Sequence, residues 1–312
     1  MEWMDILAQQ IFNGVILGSV YALVALGYTM VYGILGLINF AHGDITMIGA
    51  MVAIAVLNAL FTTTFGLHPL MFSGIALVAA ICVCMLLGVG IERLAYRPLR
   101  KSPKLAVLIT AIGVSMVLQN AAVLIWGRGY QRFPSLFSDN YFSFAGASLT
   151  GTKVAVVLVT AVVLLALWLL IKHSRLGRSM RATTQDPQMA QLMGVNINRL
   201  ISTTFVIGSG LGALAGVMVA AIYGQADPYM GFILGWKAFS AAVLGGIGNL
   251  TGAVIGGLLL GLIESLGSAY LGTLTHGVLG SNYQDIFAFL VLILVLVCKP
   301  SGLLGKNTVA RP

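Results

Sequence analysis

Asn39, His42 and Asp44 place an amide, an imidazole and a carboxylate within six residues of an otherwise apolar stretch. Such groups bind metal ions or polar solutes, but a protein metal site usually needs three or four ligands. One histidine beside one aspartate falls short of that number, so we predict no metal ion here. Polar groups removed from water need polar partners. We therefore expect this segment to line a polar path or to be held by hydrogen bonds to neighbouring groups.

A second set of polar and small residues interrupts the apolar sequence further along the chain. Lys237 precedes a glycine pair, and Glu264 stands alone in another apolar run. Small residues recur beside both polar segments, at Gly49 in the first and at Gly245 and Gly246 in the second. We predict that these residues line a translocation path or support broken helices. For Lys237 an alternative stays open, because its long side chain is able to reach an interface.

Sequence motifs of common catalytic sites are absent from the chain. It has no Gly-x-x-x-x-Gly-Lys-Ser/Thr phosphate-binding loop, no Gly-x-Ser-x-Gly nucleophile motif and no His-Glu-x-x-His pair. The three cysteines, Cys82, Cys84 and Cys298, lie in apolar runs, where we expect inert packing residues. We predict a protein that is not an enzyme and that binds no cofactor of its own.

The composition of the chain indicates what kind of structural element must position these residues. Of the 312 residues, 59% are hydrophobic and only 8% are charged, and the mean hydropathy is +0.98. A soluble domain is about 25% charged, so this chain has too few charges to cover a water-exposed surface. Composition therefore excludes a soluble enzyme, a disordered chain and a nucleic-acid-binding module. It predicts one all-α polytopic membrane domain over 1–312, surrounded by lipid.

Apolar runs of about 20 residues are long enough to cross a bilayer as helices. We predict eight spans and a shorter half-span near 236–247 that ends in a glycine-rich turn. Glu92 and Asp285 fall at span ends, where we expect them to be interfacial. The eight spans lie near 9–32, 38–60, 70–92, 105–126, 153–172, 201–223, 252–271 and 283–299.

The basic residues predict the orientation of the chain. Thirteen of the 17 lysines and arginines fall in 93–104, 172–200 and the C-terminal tail. Because cytoplasmic loops carry an excess of lysine and arginine, we place these three segments in the cytoplasm. The N-terminus, which begins with acidic and no basic residues, is then periplasmic. We expect a bacterial inner membrane protein with a cytoplasmic C-terminus.

Two parts of the chain share a pattern that predicts an inverted internal repeat. Tyr32-Gly33 and Tyr223-Gly224 each end a predicted span. Polar-interrupted segments follow, at 39–44 in the first copy and at 235–240 in the second. Because the copies start on opposite sides of the membrane, they are inverted. Such repeats with glycine-interrupted segments are typical of transporters and indicate the substrate path.

The polar stretch 173–200 contains a short helix with clear end signals. Asp186 is a good N-cap and Pro187 suits the first helical position, while Gly194 suits the position just past the end. The helix predicted over 187–193 is too short to be stable alone. Its apolar face, formed by Met189, Leu192 and Met193, is suited to an adaptable protein contact. Packing on the membrane surface or on the protein's own bundle is the alternative.

Several motifs resemble branched-chain amino-acid ABC transporter permeases of the LivH type, in order from about residue 9 to 305. The N-terminal part carries Gly27-Tyr28-Thr29-Met30-Val31-Tyr32-Gly33 and Ile38-Asn39-Phe40-Ala41-His42-Gly43-Asp44. Further matches are Asn13-Gly14, Leu17-Gly18-Ser19, Tyr21-Ala22-Leu23, Glu92-Arg93-Leu94-Ala95-Tyr96-Arg97-Pro98-Leu99-Arg100, Ala111-Ile112-Gly113-Val114-Ser115, Gly177-Arg178, Arg181-Ala182, Phe239, Ala242-Val243-Leu244-Gly245-Gly246-Ile247-Gly248 and Pro300-Ser301-Gly302-Leu303-Leu304-Gly305.

This resemblance implies an importer of branched-chain or hydrophobic amino acids with several subunits. The chain would pair with an M-type permease, two cytoplasmic ATPase subunits and a periplasmic substrate-binding protein, and the ATPases would bind ATP and magnesium. The segment 173–200 would be the loop that couples the ATPases to the membrane domain. The coupling residues would be Gly177, Arg178, Arg181, Asp186, Met189, Ala190, Leu192, Met193 and Gly194.

The chain departs from the family pattern at two places. It reads Thr183-Thr184-Gln185-Asp186-Pro187 where the family has a more acidic pair without proline, and Asp44 replaces a glutamate. An importer of urea or short amides is an alternative within the family, although such permeases tend to have a longer periplasmic N-terminal region. A channel or ion-coupled carrier without ATPases is an alternative outside it.

Overall fold

A computed structural model describes residues 2–63, 69–100, 102–134, 141–144, 147–274 and 283–305. These residues form long apolar helices with a few short strands between them. The helices are α1 Glu2–Leu35, α2 His42–Thr63, α3 Pro69–Ile91, α4 Lys104–Trp126, α5 Gly151–His173, α6 Arg175–Gln185, α7 Pro187–Leu192, α8 Ile197–Tyr223, α9 Met230–Gly245, α10 Leu250–Leu274 and α11 Gln284–Cys298. A π-helical turn, Glu92–Tyr96, continues α3.

The strands are two to four residues long and lie between the long helices. They are β1 Gln131–Arg132, β2 Tyr141–Phe144, β3 Ala147–Thr150 and β4 Gln225–Ala226. β1 pairs antiparallel with β4, which ties the segment after α4 to the segment after α8. β2 and β3 form an antiparallel hairpin before α5. The predicted all-α membrane fold is confirmed.

Seven helices are long and apolar enough to cross a membrane: α1, α2, α3 with its π-turn, α4, α5, α8 and α10. They correspond to the first seven predicted spans. The eighth, predicted near 283–299, is a helix of 15 residues, about 22 Å long at 1.5 Å per residue. The predicted half-span is α9, which begins at Met230 and is 16 residues long. α1 is enclosed by other helices, with 89% of its apolar window buried, whereas α5 has 17% buried and lies at the periphery.

Helix directions support the inverted internal repeat. Gln9 near the start of α1 accepts a hydrogen bond from Ser148, just before α5, whereas the end of α8 is tied through β4 to β1, just after α4. The start of α1 and the end of α8 therefore lie at the same end of the molecule. α1 runs against α10, because Gly14 lies beside Leu262 whereas Gly18 lies beside Leu258. The equivalent pair, α8 and α3, is also antiparallel: Ser202 contacts Glu92, and Gly210 lies beside Met85. α2 packs against α3 and α4 as α9 packs against α10 and α11. The units α1–α4 and α8–α11 therefore repeat one arrangement.

The repeat has a different register from the one predicted. A glycine with positive φ ends the first helix of each unit, Gly36 (φ +63°) and Gly224 (φ +68°), and the next helix starts six residues later in both. Gly36 rather than Gly33 is thus the counterpart of Gly224. The register makes Gly43 equivalent to Gly231, and these two residues pack against each other. The pseudo-two-fold axis passes close to this pair.

Glycines allow the central helices to approach backbone to backbone. A Cβ atom added to Gly18 in α1 would lie 2.7 Å from Cα of Leu258 in α10, and a Cβ on Gly257 would lie 2.6 Å from Cα of Ala22. Small residues are the usual means of close packing between membrane helices. The high glycine content, 38 residues, thus has a structural use at this crossing.

Leucine at Gly18 is expected to disrupt this crossing. Overpacking usually costs about 1–3 kcal/mol, and the cost is at the upper end here because the obstructing atom is backbone. We expect Gly18→Leu to lower the thermal unfolding midpoint of the purified protein and its membrane yield. Gly113→Leu in α4 is the matched control, since nothing lies within 4 Å of its added Cβ. Equal stability of the two variants would contradict the packing role of Gly18.

Candidate functional site

The break between α1 and α2 is held by buried polar contacts. Gly36 ends α1 in a left-handed conformation. Asn39, which is 2% exposed, accepts a hydrogen bond from the Tyr96 hydroxyl at 2.8 Å, and its carbonyl accepts from the His42 amide at 3.0 Å. Tyr96 belongs to the π-turn after α3. Asn39 therefore fixes the broken segment to a neighbouring helix. Two roles were predicted for it, lining a path and supporting a broken helix, and this contact corresponds to the second.

His42 fills a space that glycines leave between α1, α2 and α8. Its ring is buried and meets the Tyr28 ring edge-on at a centroid distance of 4.9 Å. Gly27 lies directly beside the ring, and an added Cβ on Gly212 would lie 3.4 Å from it. No group of three potential metal-ligating side chains occurs in the described part of the chain. His42 is thus a packing residue of the broken segment.

Asp44 lies in the first turn of α2 and is 1% exposed. Its carboxylate accepts a hydrogen bond from Nε2 of Gln119 at 2.9 Å, and the same nitrogen lies 3.2 Å from the Ser115 hydroxyl. Among the described residues, no lysine or arginine forms an ion pair with Asp44. A helix N-terminus favours a carboxylate by about 0.3–1 kcal/mol at an exposed position. Asp44 therefore has hydrogen bonds and a favourable helix dipole but no countercharge.

A cavity of about 330 Å³ lies beside Asp44. Aromatic rings of the α1–α2 segment and of α9 form one wall: the ring centroids of Phe40 and Trp236 are 5.3 Å apart, and those of Trp236 and Phe239 are 6.1 Å apart. Side chains of α4, including Ile112, also line the cavity. The cavity is apolar apart from a few polar side chains, and it joins the interrupted segments of both repeat units.

A separate ionic network anchors the half-span α9. Lys237 donates to Glu264 at 2.6 Å and lies 2.6 Å from Asp285, and the Tyr21 hydroxyl donates to the other Glu264 oxygen at 2.9 Å. Lys237 and Glu264 are buried, whereas the Asp285 side chain is 42% exposed. The network joins α1, α9, α10 and α11. Lys237 is buried among these partners, and its amine is paired within the protein rather than extended into solvent.

Glu92 forms a second charged cluster, in the other repeat unit. It is fully buried, pairs with Arg100 and accepts a hydrogen bond from the Ser202 hydroxyl at 2.8 Å. Glu92 lies near the end of the span Met71–Tyr96, as predicted, and protein rather than water surrounds it. Glu92 begins the π-turn that continues α3, whereas Glu264 lies within α10. Each unit thus encloses one glutamate beside a cation.

The predicted glycines lie at helix and turn contacts rather than at the cavity wall. An added Cβ on Gly49 would lie 2.6 Å from Cα of Ala213 in α8. Gly245 packs against Gly252 at the start of α10. Gly246 has φ +106° and forms the turn after α9, where its added Cβ would lie 2.7 Å from Cα of Gly305. The three residues support the broken helices.

The short helix in 173–200 has the predicted ends. Asp186 accepts hydrogen bonds from the amides of Gln188 at 2.9 Å and Met189 at 3.0 Å, so it is the N-cap of α7. α7 ends at Leu192, and Gly194 has φ +86°. The amide of Val195 then bonds back to the carbonyl of Ala190 at 3.0 Å. The helix is confirmed, and it is one residue shorter than predicted.

One face of α7 is apolar and has no cover within the described chain. Met189 is 56% exposed, and Leu192 and Met193 are each 81% exposed, whereas Ala190 is buried. The preceding helix α6 holds this face in place. Gly177 is buried against the end of α5, and Arg181 donates to the Ile171 carbonyl at 2.7 Å. Arg178 donates to the His173 carbonyl at 3.5 Å, and both arginines are exposed. The alternative that the Met189 face packs on the protein's own bundle is therefore wrong for the described residues.

Comparison with known proteins identifies the family. The family described as branched-chain amino acid transport system / permease component matches residues 10–296. The high-affinity branched-chain amino acid permeases LivH of Salmonella typhimurium and LivH of Escherichia coli are each 46% identical to the chain, and BraD of Pseudomonas aeruginosa is 45% identical. In each case the alignment covers 97% of both chains. The chain belongs to this family.

One solved complex, PsaBC from Streptococcus pneumoniae with a Fab, is similar to the chain. The similarity covers 96% of this chain and 92% of the PsaBC chain, with 14% identity and a TM-score of 0.45. That TM-score is too low to carry an argument.

For a permease, the polar residues divide into two groups. Asn39, His42 and the Lys237–Glu264 network connect helices and fix the two interrupted segments. Asp44 instead borders a cavity. Sequence reasoning missed two partners: Gln119, which donates to Asp44 75 positions away, and Tyr96, which donates to Asn39 57 positions away. No local signal in the sequence marks a contact between residues so far apart. In the sequence, Tyr96 stood out only as part of the 92–100 motif that resembles the family.

Proposed function

We propose that this permease is the membrane subunit of an ABC importer that moves branched-chain amino acids from the periplasm to the cytoplasm. ATP and magnesium are bound by partner subunits, and their hydrolysis drives import. An M-type permease, two ATPases and a periplasmic binding protein complete the assembly. Membership of the family supports the substrate class, since the relatives above are named for high-affinity branched-chain amino acid transport.

The exposed face of α7 carries this proposal. Three apolar side chains, Met189, Leu192 and Met193, project from a capped helix that is too short to be stable without a partner. The surrounding segment is rich in basic residues, which supports a cytoplasmic position. An ATPase is a partner that approaches from that side. The segment therefore transmits movement of the ATPases to α5 and α8, which flank it in the chain.

The same charge pattern supports an orientation for the whole chain. Basic residues concentrate in 93–104, 172–200 and the C-terminal tail. With these segments in the cytoplasm, the N-terminus and the β1–β4 pair lie on the periplasmic side. The substrate-binding protein then docks on the end of the molecule that carries β1 and β4.

Uptake by the reconstituted complex tests the proposal. The permease is co-expressed with its partner subunits, inserted into liposomes with ATP inside, and supplied outside with binding protein and radiolabelled leucine. We expect ATP-dependent accumulation that requires the binding protein. Transport of leucine without ATP would indicate a channel or carrier, and accumulation of urea but not leucine would indicate the amide alternative.

A further inference from the structure

Asp44 differs from the two buried glutamates in having no cation beside it. Glu92 pairs with Arg100, and Glu264 pairs with Lys237. Asp44 is as buried as they are, yet its side-chain partners in the described residues, Gln119 and Ser115, are uncharged. A buried carboxylate is costly unless it is paired. Its charge is therefore available to a cation that enters from outside the chain.

The cavity beside Asp44 has walls that suit an apolar group attached to such a cation. Its aromatic wall consists of Tyr28, Phe40, Phe232, Trp236 and Phe239, and alkyl side chains come from α4. Aromatic faces attract ammonium groups as well as alkyl chains. The volume of about 330 Å³ is at the lower end of the range for small-molecule sites. The combination fits a small amphiphile with one positive group and a branched apolar chain.

We propose that this cavity is a transient subsite for the transported amino acid, in which Asp44 binds the α-ammonium group and the aromatic wall receives the apolar side chain. The subsite rests on the proposed import of branched-chain amino acids and adds the residue that recognises the substrate within the membrane. None of the lining residues is a lysine or arginine that would bind the substrate carboxylate. Binding is therefore weak, which a path requires for release.

The position of the subsite agrees with its use in a path. Asp44 and Phe40 belong to the interrupted segment of the first repeat unit, and Trp236 and Phe239 belong to that of the second. Substrate sites of transporters built from inverted repeats lie where such interrupted helices meet. Gly43 precedes Asp44 in the chain and packs against Gly231, which lies in α9 together with Trp236 and Phe239. The glycine pair close to the pseudo-two-fold axis therefore belongs to the same two segments as the subsite.

Leucine uptake by Asp44 variants tests the charge. Asp44→Asn keeps the size of the side chain and removes its charge, whereas Asp44→Glu keeps the charge. In the reconstituted complex we expect Asp44→Asn to lower the initial rate of leucine uptake about 10-fold, in line with the loss of one charge interaction. Asp44→Glu retains most of the rate. Stimulation of ATP hydrolysis by loaded binding protein persists in both variants and reports correct assembly.

A chemical probe tests the cavity independently of transport. Ile112→Cys places a thiol on the α4 wall, in a background where Cys82, Cys84 and Cys298 are replaced by alanine. The thiol is treated with a cationic and with an anionic methanethiosulfonate reagent of similar size. We expect the ratio of the cationic to the anionic reaction rate to be about 10-fold higher with Asp44 present than in the Asp44→Asn variant. Millimolar leucine slows the cationic reaction in the Asp44 protein only.

The outcomes separate the subsite from the proposed function. If the unmodified complex imports leucine while Asp44→Asn imports it equally fast, or the reagents show no charge preference, the subsite is refuted and the function stands. If the unmodified complex does not import leucine, the proposed function fails. In that case the reagent ratio still decides whether Asp44 attracts cations into the cavity.

Discussion

Lys237→Met is expected to remove most of the folded permease from the membrane. The lysine is the cation of a buried network that also contains Glu264, Asp285 and Tyr21. Without it, the Glu264 carboxylate stays buried beside a second carboxylate, and removal of one partner of a buried pair costs about 3–5 kcal/mol. The loss should be visible as a lower yield and a lower unfolding midpoint of the purified protein.

Two further variants make this expectation specific. Lys237→Met combined with Glu264→Gln removes both charges of the closest pair, and we expect it to be more stable than Lys237→Met alone, as a double-mutant cycle would show. Lys172→Met is the control, because Lys172 is exposed at the end of α5 and contacts only the Trp168 ring, at 4.3 Å from its centroid, among the contacts described. If Lys237→Met were as stable as Lys172→Met, the network would not anchor α9.

Met189→Asp combined with Leu192→Asp is expected to separate the ATPases from the permease. Both side chains project from α7 with exposed fractions of 56% and 81%. Unpaired charges in the core of an interface cost about 3–5 kcal/mol, which corresponds to at least a 100-fold weaker affinity. Co-purification of the ATPases, and the response of their hydrolysis to loaded binding protein, are the measurements.

The same helix offers a matched control for this double variant. Gln188 and Gln191 are exposed on α7 and lie outside its apolar face. Gln188→Asp combined with Gln191→Asp adds the same charge to the same helix without entering the proposed contact. We expect this control to retain its ATPases. Equal behaviour of the two double variants, with full stimulation in both, would show that α7 is not the coupling element.

The three buried carboxylates of the described chain have different uses. Glu92 and Glu264 belong to different repeat units, and each is neutralised by a cation of the protein itself. These pairs hold helices together, so their replacement affects stability. Asp44 has no such cation and borders a cavity, so its replacement by asparagine affects uptake more than stability. The contrast follows from charge compensation, which determines whether a buried carboxylate is free to interact with a solute.

Local signals in the sequence predicted the elements of this permease. Seven apolar runs gave the positions of seven spans, because a membrane helix needs length and hydrophobicity, and both are properties of neighbouring residues. The ends of α7 were predicted for the same reason: Asp186 and Gly194 act on backbone groups a few positions away. Family motifs added the resemblance to branched-chain amino acid permeases.

The tertiary structure alone decided which residues meet. Tyr21 and Glu264 are 243 positions apart, and Gln119 reaches Asp44 across 75. The long helices are apolar on all sides, so no polar stripe reveals which face is buried. Lipid is as apolar as a helix surface, and packing of small residues rather than hydrophobicity selects the neighbours. For that reason the burial of Glu92, the register of the repeat and the cavity beside Asp44 follow from the packed helices and not from the order of their residues.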